Sequence, residues 1–266
     1  MNGGWRLPGP TLIGLADESD LPPEIAERLN AFVGRDWVFA AVAGWLAGEG
    51  ASFLLTGPPG SGKSRIAEQL AGYPQCAYSH FCRARDPSSN PVTFVERLGE
   101  ALDRRLQGYR EVLKDRATQN VSISGQATAG VVESGGSVIG TSVQIHIHDL
   151  SPEAAFDETV RKPLEELCDG DPLLVVVDGL DEALTAGARN LAELMSYVVR
   201  SPPPRLRFIL TSRSGEVRVL DRLGVPDLDL RDDMPGGWSD VAEYAFQNLT
   251  RLPSASMIQG SGVSGY

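Results

Sequence analysis

Cysteine is scarce in this chain of 266 residues: Cys76, Cys82 and Cys168 are an odd number with no C-x-x-C spacing. Neither a disulfide framework nor a zinc ribbon is signalled, and the composition suits a reducing cytoplasm. Long apolar runs are missing as well. No segment reaches the roughly 18 uninterrupted apolar residues that a bilayer-spanning helix needs. Residues Met1 to Pro10 lack the basic start and apolar stretch of an export signal. The chain is therefore expected in the cytoplasm, with no membrane partner. Positive charge is in deficit, since 24 Lys and Arg stand against 35 Asp and Glu for a net −11. That balance speaks against nucleic acid as a partner gripped through its phosphates. His146 and His148 share a face of one candidate strand without a third ligand, so a solvated face is expected there, not a metal site. Cys82 lies near His80 with no orienting partner and is expected in the core.

Apolar residues make up 42% of the chain, enough for one sizeable α/β core. Prolines at 8, 10, 22 and 23 make residues 1–23 an extended lead-in, and the Ser/Gly-rich stretch 253–266 is expected to be disordered. One domain over 24–252 lies between them. From Trp37 to Trp45, Val38, Ala41, Val42 and Trp45 recur at helical steps and predict one apolar face. Ser52 to Thr56 is a short strand, Ser64 to Ala71 a helix ending at Gly72, and Cys76 to Phe81 a second strand. Asn90-Pro91 caps a helix carrying Phe94, Val95, Leu98, Ala101, Leu102 and Leu106. Residues 117–145 turn to Gly, Ser, Val and Ala in short alternation, the pattern of an inserted β-hairpin or a mobile loop. A helix opens at Ser151-Pro152 and runs to about Cys168. Leu173 to Val177 and Leu206 to Leu210 are aliphatic runs suited to strands buried on both faces, and helices are expected at Asn190–Val199 and Ser239–Leu249. The alternation predicts a three-layer α/β/α sandwich with a mainly parallel central sheet.

Gly57-Pro58-Pro59-Gly60-Ser61-Gly62-Lys63-Ser64 fits G-x-x-x-x-G-K-[ST] and lies between a strand and a helix, where a P-loop must lie. Its glycines let backbone N–H groups turn inward around a β-phosphate, the helix start adds its positive end, and Lys63 reaches the β- and γ-phosphates. Ser64 is expected to ligate Mg²⁺ through its hydroxyl. Arg65, next in the helix, is counted with the nucleotide-binding residues. The run Leu173 to Val177 ends in Asp178-Gly179-Leu180-Asp181-Glu182. A carboxylate at the tip of a buried strand beside the P-loop strand can hold Mg²⁺, which gives Asp178 the Walker B role. Asp181 or Glu182 would orient or deprotonate the attacking water, with Asp181 the first choice. Arg213, at the end of Leu206 to Leu210 and Thr211-Ser212, could read the γ-phosphate, with Thr211 hydrogen-bonding nearby.

Phe32-Val33-Gly34-Arg35 ahead of the P-loop, D-G-L-D-E at Asp178 to Glu182, and Thr211-Ser212-Arg213 together resemble a STAND-class P-loop NTPase of the NACHT type. Gly179 directly after Asp178, followed by two acids, favours NACHT over NB-ARC or ordinary AAA+ modules. The resemblance implies that Val33, Gly34 and Arg35 lie against adenine and ribose, and that Arg213 contacts the γ-phosphate. It implies ATP or ADP with Mg²⁺ as ligands, slow hydrolysis catalysed with Lys63, Arg213 and Asp181 or Glu182, and self-association of the ATP-bound form in defence or other signalling. The winged-helix segment, sensor repeats and effector domain of STAND proteins are not seen, so their work is expected to fall to further domains or partner proteins. Two rivals are a nucleotide-binding scaffold without turnover and an AAA+ motor acting on nucleic acid or protein.

Overall fold

The structure is a computed structural model that describes residues 35–84, 86–116, 121–131, 137–184, 190–214, 225 and 227–230. The expectations for residues 1–23, Val33, Gly34, the helix at Ser239–Leu249 and the tail 253–266 fall outside them. In chain order the elements begin with α1 (Asp36–Ala47), β1 (Ser52–Gly57), α2 (Lys63–Ala71), β2 (Cys76–Phe81), α3 (Pro91–Arg105) and α4 (Tyr109–Asp115). There follow β3 (Val121–Val131), β4 (Ser137–Ile147), α5 (Pro152–Phe156), α6 (Lys162–Glu166) and β5 (Leu173–Asp178). Last come α7 (Leu180–Ala183), α8 (Leu191–Arg200), β6 (Leu206–Arg213) and β7 (Asp227–Asp229).

Five strands form one sheet in the order β2-β5-β6-β1-β7, and every pairing in it is parallel. Alternate residues of its strands feed two separate cores. Phe53, Leu55, Leu174, Val176 and Ile209 pack with α1 and α2 residues such as Val42, Leu46, Ile66 and Leu70. Leu54, Val175, Val177, Phe208 and Leu210 pack on the other face with Phe94, Leu98, Phe156, Leu194 and Val198. A sheet apolar on both faces needs helices on both, which makes the three-layer α/β/α sandwich. Among the described residues no helix is long and apolar enough to cross a membrane.

Three local differences from the sequence reading have physical causes. β6 stands between β1 and β5, so the acid-tipped strand is not beside the P-loop strand but one strand removed. In α1 the buried stripe is Val38, Phe39, Val42 and Leu46. Ala41 and Trp45 are only half-buried, and the Trp45 ring leans on Phe53 at 5.4 Å between centroids. The helix expected from Ser151 to Cys168 contains a π-turn over Asp157–Arg161. Pro163 has no N–H to give the Thr159 carbonyl four residues back, and the buried Tyr109 hydroxyl donates to that carbonyl instead.

Over 121–147, β3 and β4 pair antiparallel as a sheet of their own, with Val121 opposite Ile147 and Val131 opposite Ser137. Its base rests on α3. Ile145 comes so close to Gly99 that a Cβ there would stand 2.7 Å from Ile145 Cδ1, and Glu96 accepts the Ile147 N–H at 3.0 Å.

Candidate functional site

The strand tips of β1, β5 and β6 point the same way, because parallel pairing puts their C-terminal ends on one edge. At the β1 tip the chain turns sharply. Gly60 and Gly62 have φ of 81° and 93°, a region closed to most side chains, and a Cβ on Gly57 would stand 2.6 Å from Ser61 Oγ. The loop closes with Ser61 N–H donating to the Pro58 carbonyl at 3.2 Å. Lys63 opens α2, and no side chain caps the helix at Gly62, so its first N–H groups face the loop. The Lys63 ammonium donates to the Gly57 carbonyl at 2.8 Å, the Pro58 carbonyl at 2.9 Å and Ser61 Oγ at 3.4 Å. Burial lowers the pKa of this lysine, opposed by the charges of Asp181 and Asp178. Arg35, the N-cap residue of α1, donates from Nη2 to the Ser61 carbonyl at 3.2 Å, which brings it to the loop. Arg65 pairs with Glu68 at 2.8 Å on α2.

Asp178 ends β5, buried, and burial pushes its carboxyl pKa up against the opposing effects of Thr211, Ser64 and Lys63. Thr211 Oγ1 donates to Asp178 Oδ1 at 2.5 Å, and the nearby Ser64 hydroxyl favours the charged carboxylate. Ser64 itself is exposed. Gly179 follows with φ of 74°, where a Cβ would also crowd the Cys82 carbonyl at 3.2 Å. This turn starts α7, whose first turn carries Asp181 and Glu182.

Both oxygens of Asp181 face Arg213: Oδ1 accepts its backbone N–H at 3.1 Å and Oδ2 pairs with Nε at 3.0 Å. The Asp181 side chain is 8% exposed, against 50% for Arg213. Glu182, 35% exposed, accepts the Ala84 N–H at 3.0 Å and has Oε1 3.8 Å from Arg213 Nη2. Lys63, Ser64, Asp178, Asp181, Glu182 and Arg213 are thus gathered at one sheet edge.

Thr211 is fully buried, and its hydroxyl bonds Asp178 and the Gly179 N–H beside the site. Asp229, at the tip of β7, is a site residue that no sequence motif marks. Its charge acts on Lys63, and it accepts the Ser214 hydroxyl at 3.3 Å, while the Ser214 N–H reaches the Gly57 carbonyl at 3.2 Å. Asp227-Leu228-Asp229 has one apolar residue and gives no strand signal. His146 and His148 are exposed, and Cys82 is buried with its thiol pushed up to about 12.

The donor set suits Mg²⁺. Ser64 and Asp178 offer a hydroxyl and a carboxylate, the hard oxygen ligands that this ion prefers. Among the described residues no three His, Cys, Asp or Glu side chains gather as a complete metal cage. A cation here would draw the rest of its shell from phosphate and water, as Mg²⁺ at nucleotides does.

The model of a family described as the AAA ATPase domain matches residues 31–209. No curated protein matches the chain. Among solved structures, one described as the structure of C. elegans PCH-2 is 15% identical, with a TM-score of 0.31. The match covers 78% of this chain and 47% of that protein.

Proposed function

This chain belongs to the AAA ATPase domain family, and from that premise we propose that it binds ATP with Mg²⁺, hydrolyses it slowly, and serves as a nucleotide switch of the STAND/NACHT kind. The observation that carries this reading is the gathering of Lys63, Asp178, Asp181, Glu182 and Arg213 at one sheet edge. The N–H groups at the start of α2 and the Lys63 ammonium cradle the β- and γ-phosphates. Ser64 and Asp178 would hold Mg²⁺, which when bound would supply positive charge against the phosphates. Arg213, half exposed and paired with Asp181, would reach the γ-phosphate with its guanidinium. In this reading Arg35 lies toward adenine and ribose, with its bond to Ser61 in support.

The two acids divide their work. Asp181 is nearly buried with both oxygens on Arg213, which supports a role in aiming that arginine. Glu182 is the more exposed and is steadied by the Ala84 amide, which favours it over Asp181 as the group that orients water. In this reading the ATP-bound form self-associates, and sensor and effector functions come from other domains or partner proteins in signalling or defence.

The test starts with the nucleotide that co-purifies with the protein, expected to be ADP or ATP. Lys63→Ala should abolish binding of a fluorescent ATP analogue. Glu182→Gln should retain binding and lower phosphate release by about 100-fold or more. Unchanged phosphate release in both Asp181→Asn and Glu182→Gln, beside lost binding in Lys63→Ala, would make the protein a scaffold. Gel filtration with ATP against ADP reads the switch, and turnover stimulated by DNA or an unfolded polypeptide would instead indicate a motor.

A further inference from the structure

We propose that Thr211 is a positioning residue: its hydroxyl fixes the Asp178 carboxylate for the cation and at the same time pins the turn that launches the acid-bearing helix α7. The inference rests on the Mg²⁺–ATP reading of the site and adds a residue that acts through Asp178. It follows from the strand order. Because β6 lies between β1 and β5, Thr211 is in register with Leu55 on one side, and the pairing of Leu210 with Val177 brings Thr211 level with Asp178 on the other. The side chain is wholly buried. Its oxygen donates to Asp178 Oδ1 at 2.5 Å and accepts the Gly179 N–H at 2.9 Å.

A hydroxyl on Cβ is the group that can do both, since it is donor and acceptor at once and fits inside a closed strand. Donation to Oδ1 fixes the carboxylate rotamer. Acceptance from Gly179 holds the left-handed turn, φ of 74°, from which Asp181 and Glu182 emerge. One buried oxygen thus ties the metal-holding acid to the start of the helix with the water-positioning acids. Groups that orient a metal ligand from behind commonly change metal affinity 10–100-fold when removed.

The test measures the affinity of a fluorescent ATP analogue with excess Mg²⁺ and again with EDTA. Wild-type protein should bind more tightly with Mg²⁺, and Asp178→Asn should lose that gain. Thr211→Val, isosteric but without the hydroxyl, should bind about tenfold more weakly with Mg²⁺ and equally well in EDTA. Thr211→Ser should restore the Mg²⁺ gain, which a purely space-filling role would not require. If the valine variant does not fold, Thr211→Ala removes the same hydroxyl with less volume. A hydroxyl-free variant that keeps the wild-type Mg²⁺ gain, or weakens equally in both conditions, overturns the proposal. A wild-type protein that binds nucleotide without any Mg²⁺ gain, or an Asp178→Asn variant that keeps it, overturns the Mg²⁺–ATP reading and the proposal with it.

Discussion

His80 is buried at the end of β2, edge-on to Phe94 at 5.2 Å, with both ring nitrogens engaged. Nε2 meets the Ser88 carbonyl at 2.5 Å and Nδ1 meets the Tyr78 hydroxyl at 2.8 Å. The consistent assignment is a neutral ring in which Nε2–H donates to the carbonyl and Nδ1 accepts from tyrosine. Burial lowers the pKa below the ordinary 6.5, and the bond to Ser88 opposes it in part. In the unfolded chain the same ring binds a proton near pH 6.5, so its contribution to stability is complete above that pH and is lost as the pH falls through the native value. Stability should therefore drop in mildly acid solution by up to about 1.4 kcal/mol per pH unit from this group. His80→Gln, which keeps a donor for the Ser88 carbonyl, should remove that component. Urea melts of the two proteins from pH 7 to pH 5 give the comparison, and parallel curves would mean that His80 does not titrate on unfolding. The same ring braces the loop whose Ala84 amide holds Glu182, so the proton is taken up one loop away from the candidate site.

At the scale of elements, α3 shows how a local signal sets a boundary. The Asn90 side chain accepts the N–H groups of Val92 at 2.9 Å and Thr93 at 3.4 Å, and Pro91 occupies the first helical position. Asn90→Ala should cost about 1 kcal/mol, or roughly 2–4 °C in thermal melting, with nucleotide binding unchanged. Asn90→Gly should cost only a few tenths. Boundaries of this kind were legible because a cap, a proline or a glycine acts on its own neighbours. So were β1, β5 and β6, whose unbroken aliphatic runs need burial on both faces, and the loop from Gly57 to Ser64, whose chemistry is contiguous. What was not legible depends on partners distant in the chain. β7 is a strand only because Leu54, Leu55 and Thr56 offer it their main chain. The π-turn before Pro163 is coupled to Tyr109, fifty residues from Thr159. The placement of β6 between β1 and β5, which turns Thr211 into a support for Asp178, is a matter of strand order that no hydrophobic period encodes.

On the scale of the whole molecule, the two cores and the candidate site belong to the five-stranded sheet and its helices, while β3 and β4 form a sheet of their own. At its base the hairpin meets the body. Val121 and Ile145 are 3% and 1% exposed in the core beside α3, and the Ile147 N–H is fixed by Glu96. Strands of eleven residues extend about 37 Å at the usual rise. That length exceeds the roughly 22 Å of the fifteen-residue helix α3 on which the base rests. The distal part should then be dispensable for folding. In the register Ser124 faces Gln144, so residues 125–143 can be replaced by Asn-Gly, a pair suited to a two-residue turn, without disturbing Val121, Ile145 or Ile147. The shortened protein should melt within about 2 °C of the full chain and bind the ATP analogue with the same Mg²⁺ gain. By contrast, Ile145→Ala, which empties a buried position against Gly99, should cost about 2–5 kcal/mol. If shortening were as destabilising as the Ile145 substitution, the distal hairpin would have to be packed into the body, and the division between sheet and hairpin would fail.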